Sequence, residues 1–282
     1  MNNLIKSIIF SASALAFCAC GNVSEVGQAY NRFPEFDQGG KIAIVAHRGF
    51  WQCEAAGNSQ NSIAALREAQ NNGCWGSEFD VQLTSDDVVI VNHDDRIDGK
   101  LIWDTPYADF KSFRLPNGEG VSTLDEYLTQ GEKCRTTMLV LEIKPQKNAE
   151  REDILIDKSI ELLKAHNLYN PKRVLFISFS RHASEVLARK CPQFVNQHLT
   201  AHSPIDVASW KVNGIDFYYS NFTSHKDWIK TARTLGMSVN AWTVNKEQNI
   251  REMIEAGVDA ITTNDPLLVR KLLGDRELKQ VK

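Results

Sequence analysis

With 282 residues, 43% of them hydrophobic and 24% charged, the chain can bury a sizeable core and lacks the bias of a disordered or fibrous protein. Its formal charge of -3, from 32 basic and 35 acidic residues, excludes the global positive field that draws a protein to nucleic acid. At roughly 150 residues per domain the length allows two domains, but one α/β barrel of roughly 250 residues fits as well.

The first segment stands apart. Lys6 precedes the apolar run IIFSASALAF, and FCAC follows with small residues, which is the pattern of a secretion signal and too short for a membrane span. Its end resembles the lipobox of bacterial lipoproteins: Ala19 precedes Cys20, and Phe17 stands where Leu is usual. That resemblance implies an exported protein of the bacterial cell envelope, anchored to a membrane through a lipid on Cys20. Residues 1–19 are thus read as signal peptide. Residues 20–40, polar, with Pro34 and a closing Gly39-Gly40, read as a tether, and residues 41–282 as the folded domain. Cys53, Cys74, Cys134 and Cys191 remain; their spacings match no zinc pattern and leave bridges and isolated thiols both open.

Ile42 to Ala46 is a short apolar run, a strand buried on both faces. Asn61 to Asn72 places Ile63, Leu66 and Ala69 near helical spacing, with Asn61 as cap and Gly73 as stop. Ser77 to Leu83 and Val88 to Asn92 read as strands about a turn at Thr84 to Asp87. Asp94 to Val121, rich in Asp, Gly and Pro, breaks the rhythm as an excursion over one end of the fold. A helix follows at Ser122 to Gln130, with capping residues first and acids in its first turn, then a strand at Thr137 to Ile143.

Alternation continues with helix Asp153 to His166, strand Val174 to Phe179, helix His182 to Lys190 and strand Val195 to Leu199. After a short helix near Pro204 to Lys211 come strand Gly214 to Tyr219, helix His225 to Leu235, strand Ser238 to Thr243, helix Lys246 to Ala256, strand Ala260 to Thr263 and helix Pro266 to Leu273. Leaving out the strand at Val88, this makes about eight strand-helix units, the number that closes a (β/α)8 TIM barrel. No Gly-rich dinucleotide loop follows the first strand, which weighs against an open doubly wound sheet.

Polar residues at strand ends carry the chemistry. Glu78 and Asp80, two apart on one strand, share a face, and two buried carboxylates side by side call for something positive between them. Glu142 and Lys144 repeat the spacing, which a structural salt bridge would also explain. Strand ends of a barrel converge on one mouth, so His47, Arg48, Glu78, Asp80, His93, Glu142 and Lys144 can meet there.

AHRG at residues 46–49, EFDVQLT at 78–84, NHDD around His93 and EIKP at 142–145 resemble, in order, the motifs of glycerophosphodiester phosphodiesterases. ISF at 177–179, NAWTVN at 240–245 and GVDAITTNDP at 257–266 extend the likeness over most of the chain. The resemblance implies a TIM barrel that hydrolyses glycerophosphodiesters to glycerol phosphate and an alcohol. It implies one divalent metal on Glu78, Asp80 and Glu142, where hard oxygen donors suit Ca2+ or Mg2+, with Mn2+ next. His47 and His93 become general acid and base, in an order the sequence leaves open. Arg48 and Lys144 become phosphate ligands.

One departure is SQNS where the family commonly reads Pro-Glu-Asn-Thr: Gln60 replaces an acid and could bind a substrate hydroxyl. Phe50 and Trp51 are candidate pocket walls, and Gly49 lets the chain turn beside the ligand. Trp242 stacks on substrate or fills the core. His166, His182, His198, His202 and His225 fall outside the shared motifs and read as surface residues. Alternative functions are a phosphodiesterase for another phospholipid or glycan diester, or a non-catalytic lipoprotein that binds phosphorylated ligands; the latter needs neither histidine.

Overall fold

A computed structural model describes residues 42–280. The segments read as signal peptide and tether, with Cys20, lie outside the described residues. Eight parallel strands close into a barrel in chain order: β1 (Ala43–Ala46), β2 (Gly76–Leu83), β6 (Met138–Ile143), β7 (Val174–Ser178), β8 (Asn196–His198), β9 (Gly214–Tyr218), β10 (Ser238–Trp242) and β11 (Ala260–Thr263). β1 pairs with both β11 and β2, so the ring has no free edge. β3 (Val89–Val91) adds an antiparallel rung to β2, and β4 (Arg96–Ile97) and β5 (Lys100–Leu101) form a small ribbon in the excursion.

The helices are α1 (Ile63–Asn71), α2 (Leu124–Gly131), α3 (Ala149–Ala165), α4 (Arg181–Lys190), α5 (Pro204–Ser209), α6 (Ser220–Ser224), α7 (Trp228–Thr234), α8 (Glu247–Ala256) and α9 (Pro266–Gln280). Among the described residues no helix is long and apolar enough to cross a membrane.

Period-two alternation divides the core into layers. Phe79, Val81, Leu139, Leu141 and Phe176 face outward and pack on helical residues such as Leu66, Leu128, Leu155 and Leu187. The inward positions Val45, Met138, Val140, Leu175 and Ile177 fill the barrel itself. Register then fixes the height of the polar residues: Asp80 pairs with Glu142, and Glu142 with Ile177, one step above the apolar floor.

Several boundaries differ from the sequence expectation for local reasons. α3 begins at Ala149, four residues before the expected Asp153, because the Asn148 side chain caps it by accepting a hydrogen bond from the Arg151 N–H. The helix expected at His225 to Leu235 is α7, Trp228–Thr234, and a separate short helix, α6, anchored by buried Phe222, precedes it. His198 is 1% exposed rather than a surface residue. It points outward from β8 into the helix layer, sharing a 3.0 Å hydrogen bond with Ser184 Oγ and meeting Trp210 edge-on. His166 sits between Asp125 and Glu132, its Nε2 2.9 Å and its Nδ1 3.0 Å from their carboxylates, while His182, His202 and His225 lie at the surface. All four cysteines of the described residues are free thiols.

The excursion after β3 has its own small core of Ile90, Ile97, Ile102, Phe110 and Val121. From it Glu119 reaches α1, its carboxylate accepting the Ile63 and Ala64 N–H groups at 2.9 and 3.1 Å. An acid there satisfies the helix's first donors and complements its dipole.

Candidate active site

Glu78, Asp80 and Glu142 are all buried, and each contributes a carboxylate oxygen to a group lying within 4.8 Å of one another. Lys144 Nζ is 3.4 Å from Asp80 Oδ1 and 2.9 Å from Glu142 Oε1. One ammonium thus sits between two of the three acids. Arg48 approaches from β1, its backbone N–H donating to Glu78 Oε2 at 2.7 Å and its Nε 3.9 Å from Asp80 Oδ2. Reaching this position puts Arg48 at φ 57, in left-handed backbone that few arginines adopt.

Charge crowding is visible in the ionisation. Burial, reinforced by the charges of its two carboxylate neighbours, raises Glu78 well above the ordinary range. Burial and Asp80 push Glu142 up to about 8 against the pull of Lys144. For Asp80 burial also acts upward, but Lys144, His93, Asn61 and Arg48 together outweigh it and hold the group below its usual value. Two acids that resist ionisation around a third that retains its charge form an all-oxygen set that a hard divalent cation would stabilise. The residues present therefore fit such an ion.

Supporting residues hold this set in place. Asn61 does not cap α1: Ser62 does, its Oγ accepting the Ala65 N–H at 3.0 Å. Asn61 is bent to φ 56 and clasps Asp80, donating to Oδ2 at 2.9 Å and accepting the Asp80 N–H at 3.2 Å. Gln60 is likewise engaged within the protein, its Oε1 accepting from the Arg48 guanidinium; it acts through Arg48 rather than offering that oxygen to a ligand. Gly49 has φ 77, and a Cβ on it would lie 2.6 Å from Ala65 Cβ. Its lack of a side chain serves the close approach of α1, not of a ligand.

His47 and His93 both line the cavity. His47 Nδ1 is 2.7 Å from Asn264 Oδ1, so Nδ1 carries the hydrogen and Nε2 the lone pair. Desolvation, then the charge of Arg48, lowers its pKa to about 4. Asn264 is itself held by Asn245, which accepts its backbone N–H at 2.8 Å. His93 Nδ1 is 2.7 Å from Asp94 Oδ1, and Gln82 Nε2 lies within reach of the Asn92, His93 and Asp94 carbonyls at 3.0, 3.1 and 2.5 Å. Asn264, Asn245 and Gln82 were not singled out from sequence, although all three stand inside the shared motifs.

The cavity, about 80 Å³, is lined on its other side by Ile177, Phe179, Leu199, Asp216 and Trp242. Trp242 is a wall of the mouth: half-buried, it donates from Nε1 to the Asp216 carbonyl at 2.8 Å and meets Phe179 edge-on at 5.3 Å. Phe50 and Trp51 are not among the lining residues. Phe50 is buried with Ala46, Ala69 and Cys74, and Trp51 packs on Ala56, Ala64 and Ala65. Asp216 went unnoticed because a lone acid in an apolar strand carries no pattern.

The pattern of the glycerophosphoryl diester phosphodiesterase family matches residues 47–268. A glycerophosphodiester phosphodiesterase of Caldanaerobacter subterraneus is 27% identical over 236 residues, covering 80% of this chain and 95% of that protein. The crystal structure of a glycerophosphodiester phosphodiesterase from Parabacteroides distasonis is 38% identical, with a TM-score of 0.80, covering 84% of this chain and 98% of the other. A phosphodiesterase from Oleispira antarctica, 24% identical with a TM-score of 0.70, shares the fold over 87% of this chain and 99% of its own.

Proposed function

The chain belongs to the glycerophosphoryl diester phosphodiesterase family, and from that premise we propose how its barrel mouth hydrolyses a glycerophosphodiester to glycerol phosphate and an alcohol. The observation that carries the reading is that His47, Arg48, Glu78, His93 and Glu142 line one cavity, with buried Asp80 grouped with the two glutamates and Lys144 set between Asp80 and Glu142.

Glu78, Asp80 and Glu142 would hold the divalent ion, with Ca2+ or Mg2+ favoured by an all-oxygen set, Mn2+ next, and zinc disfavoured without sulfur or imidazole in it. When bound, the ion supplies positive charge opposite the phosphate and increases the acidity of a nearby hydroxyl or water. Arg48 and Lys144 grip the non-bridging phosphate oxygens, the first through its planar donors and the second as a point charge.

His47 is the base. Asn264 fixes its tautomer, and a pKa of about 4 leaves Nε2 free to take a proton near neutral pH. His93, oriented by Asp94, is the acid that protonates the departing alkoxide. Where the substrate carries a hydroxyl beside the phosphate, that hydroxyl loses its proton to His47 and attacks phosphorus. The alcohol leaves with the proton from His93, and water then opens the cyclic phosphate with the two roles reversed.

The test is release of glycerol phosphate from glycerophosphocholine and glycerophosphoethanolamine, with and without chelator. Turnover that chelator abolishes and a divalent ion restores is the expected result; no turnover of any diester by the metal-loaded protein would sink the reading. Residues 1–19 as signal peptide and a lipid on Cys20 would set the enzyme at a membrane of the bacterial cell envelope. Metabolic labelling with a fatty acid tests this: the wild-type chain should take up label and Cys20→Ser should not.

A further inference from the structure

Across the cavity from the acid cluster stands a carboxyl that none of these steps uses. Asp216 is an inward residue of β9, paired in register with Asn240 on β10, and is 1% exposed. Its Oδ1 is buried without a hydrogen-bond partner, although its side chain lines the same cavity as His47, Arg48 and Glu78. Burial pushes the carboxyl well above its ordinary range, with Asn240 pulling the other way, so its surroundings favour the protonated form, which has a donor and an acceptor to offer. The rest of that side is hydrocarbon and aromatic, from Ile177, Leu199, Phe179 and Trp242. A fully buried oxygen without a partner, on a residue that lines a cavity, is unfavourable until something satisfies it.

We propose that Asp216 is a specificity residue that hydrogen-bonds a hydroxyl on the glycerol arm of the substrate. This rests on the phosphodiesterase reading, which places the phosphate against Arg48 and Lys144 and so sends one arm of the diester toward β9. An alcohol complements a neutral carboxyl, since each donates to and accepts from the other. A cationic headgroup would require the ionised form in a place whose burial opposes it. Glycerol is the arm that brings free hydroxyls whatever the headgroup. A site built to bind a hydroxyl rejects the analogue lacking it, because the buried oxygen is then left unpaired.

Calorimetry on the metal-loaded protein tests this with two ligands, glycerol 3-phosphate and ethyl phosphate, the second having no hydroxyl on its arm. Wild type should prefer glycerol 3-phosphate. Asp216→Ala should lose about tenfold of that preference while its affinity for ethyl phosphate stays the same. Asp216→Asn, similar in size and also able to donate and accept, should keep most of it and guards against a folding defect in the alanine variant. An unchanged ratio in Asp216→Ala, an equal loss for both ligands, or no preference in wild type overturns the proposal. Turnover of glycerophosphocholine by wild type is scored separately. An active enzyme with an unchanged ratio sinks only the role of Asp216, whereas an inactive one whose ratio falls sinks the catalytic reading and leaves the hydroxyl site standing.

Discussion

β2 and β6 carry three inward carboxylates whose oxygens lie within 4.8 Å, answered by cationic side chains from just beyond β1 and β6. The inward polar residues of β8, β9 and β10 are Gln197, Asp216, Ser238 and Asn240, with uncharged hydrogen bonds such as Gln197 Nε2 to Ser238 Oγ at 3.0 Å. Both halves line one barrel, yet only the first concentrates charge that the protein alone leaves unbalanced. The second is closed upon itself except at Asp216 and Gln197 Oε1. A half that stores repulsion is where an ion and a phosphate change most on binding. A half that is neutral recognises shape and hydroxyls without taking part in the charge movement.

If that division holds, the largest effects come from the two imidazoles beside the charged half. His47→Ala and His93→Ala should each lower kcat by about 10²–10⁴-fold with little change in thermal midpoint, the range for a positioned acid or base. Wild-type kcat in either variant removes that histidine from the mechanism. Glu78→Gln should weaken divalent-ion binding by well over tenfold in calorimetry. The same variant should be more heat-stable than wild type in chelator, because a neutral amide removes an ionisable group whose charge burial, reinforced by Asp80 and Glu142, makes costly. Unchanged ion affinity refutes the assignment of Glu78 as ligand.

A smaller effect follows from Glu142, whose folded pKa is raised to about 8 from an ordinary 4.5. The folded state holds a proton that the unfolded state gives up, so this stability is fully present below the unfolded value and is lost as pH rises through about 8. Melting in chelator should therefore show a midpoint that falls between pH 5 and 8, and a divalent ion should remove the slope. A flat profile in chelator would mean that the acid cluster is not strained without its ion.

The charged half was also the legible half. An i, i+2 pair of acids or of acid and base on a strand can be read without coordinates, because alternation puts both side chains on one face. Barrel closure then follows from the count of strand-helix units, and with it the meeting of His47, Glu78, His93 and Glu142 at one mouth. What could not be read was which residues hold the site still. Asn61 looked like a helix cap because it precedes α1, but a left-handed turn at φ 56 hands that role to Ser62 and leaves Asn61 for Asp80. Phe50 and Trp51 follow the catalytic strand in sequence, yet the chain turns at Gly49 and carries them under α1. In each case backbone direction at a positive φ decided the outcome, and residue type alone does not encode it.

The mildest test addresses the neutral half directly. Gln197→Met keeps the length of the side chain and removes an amide whose Oε1 is already unpartnered, while leaving the Ser238 hydroxyl without its donor. One hydrogen bond is lost, one buried acceptor is relieved and apolar surface is gained, so urea unfolding should show a change within about 1 kcal/mol of wild type. Adding Ser238→Ala removes the stranded hydroxyl and should recover part of any loss, as replacing both partners is gentler than replacing one. In both variants kcat should match wild type, because Gln197 touches neither the acids nor the imidazoles. A tenfold fall in kcat would show that this half is tied to the chemistry, and would end the division between a wall that carries charge and a wall that reads the substrate.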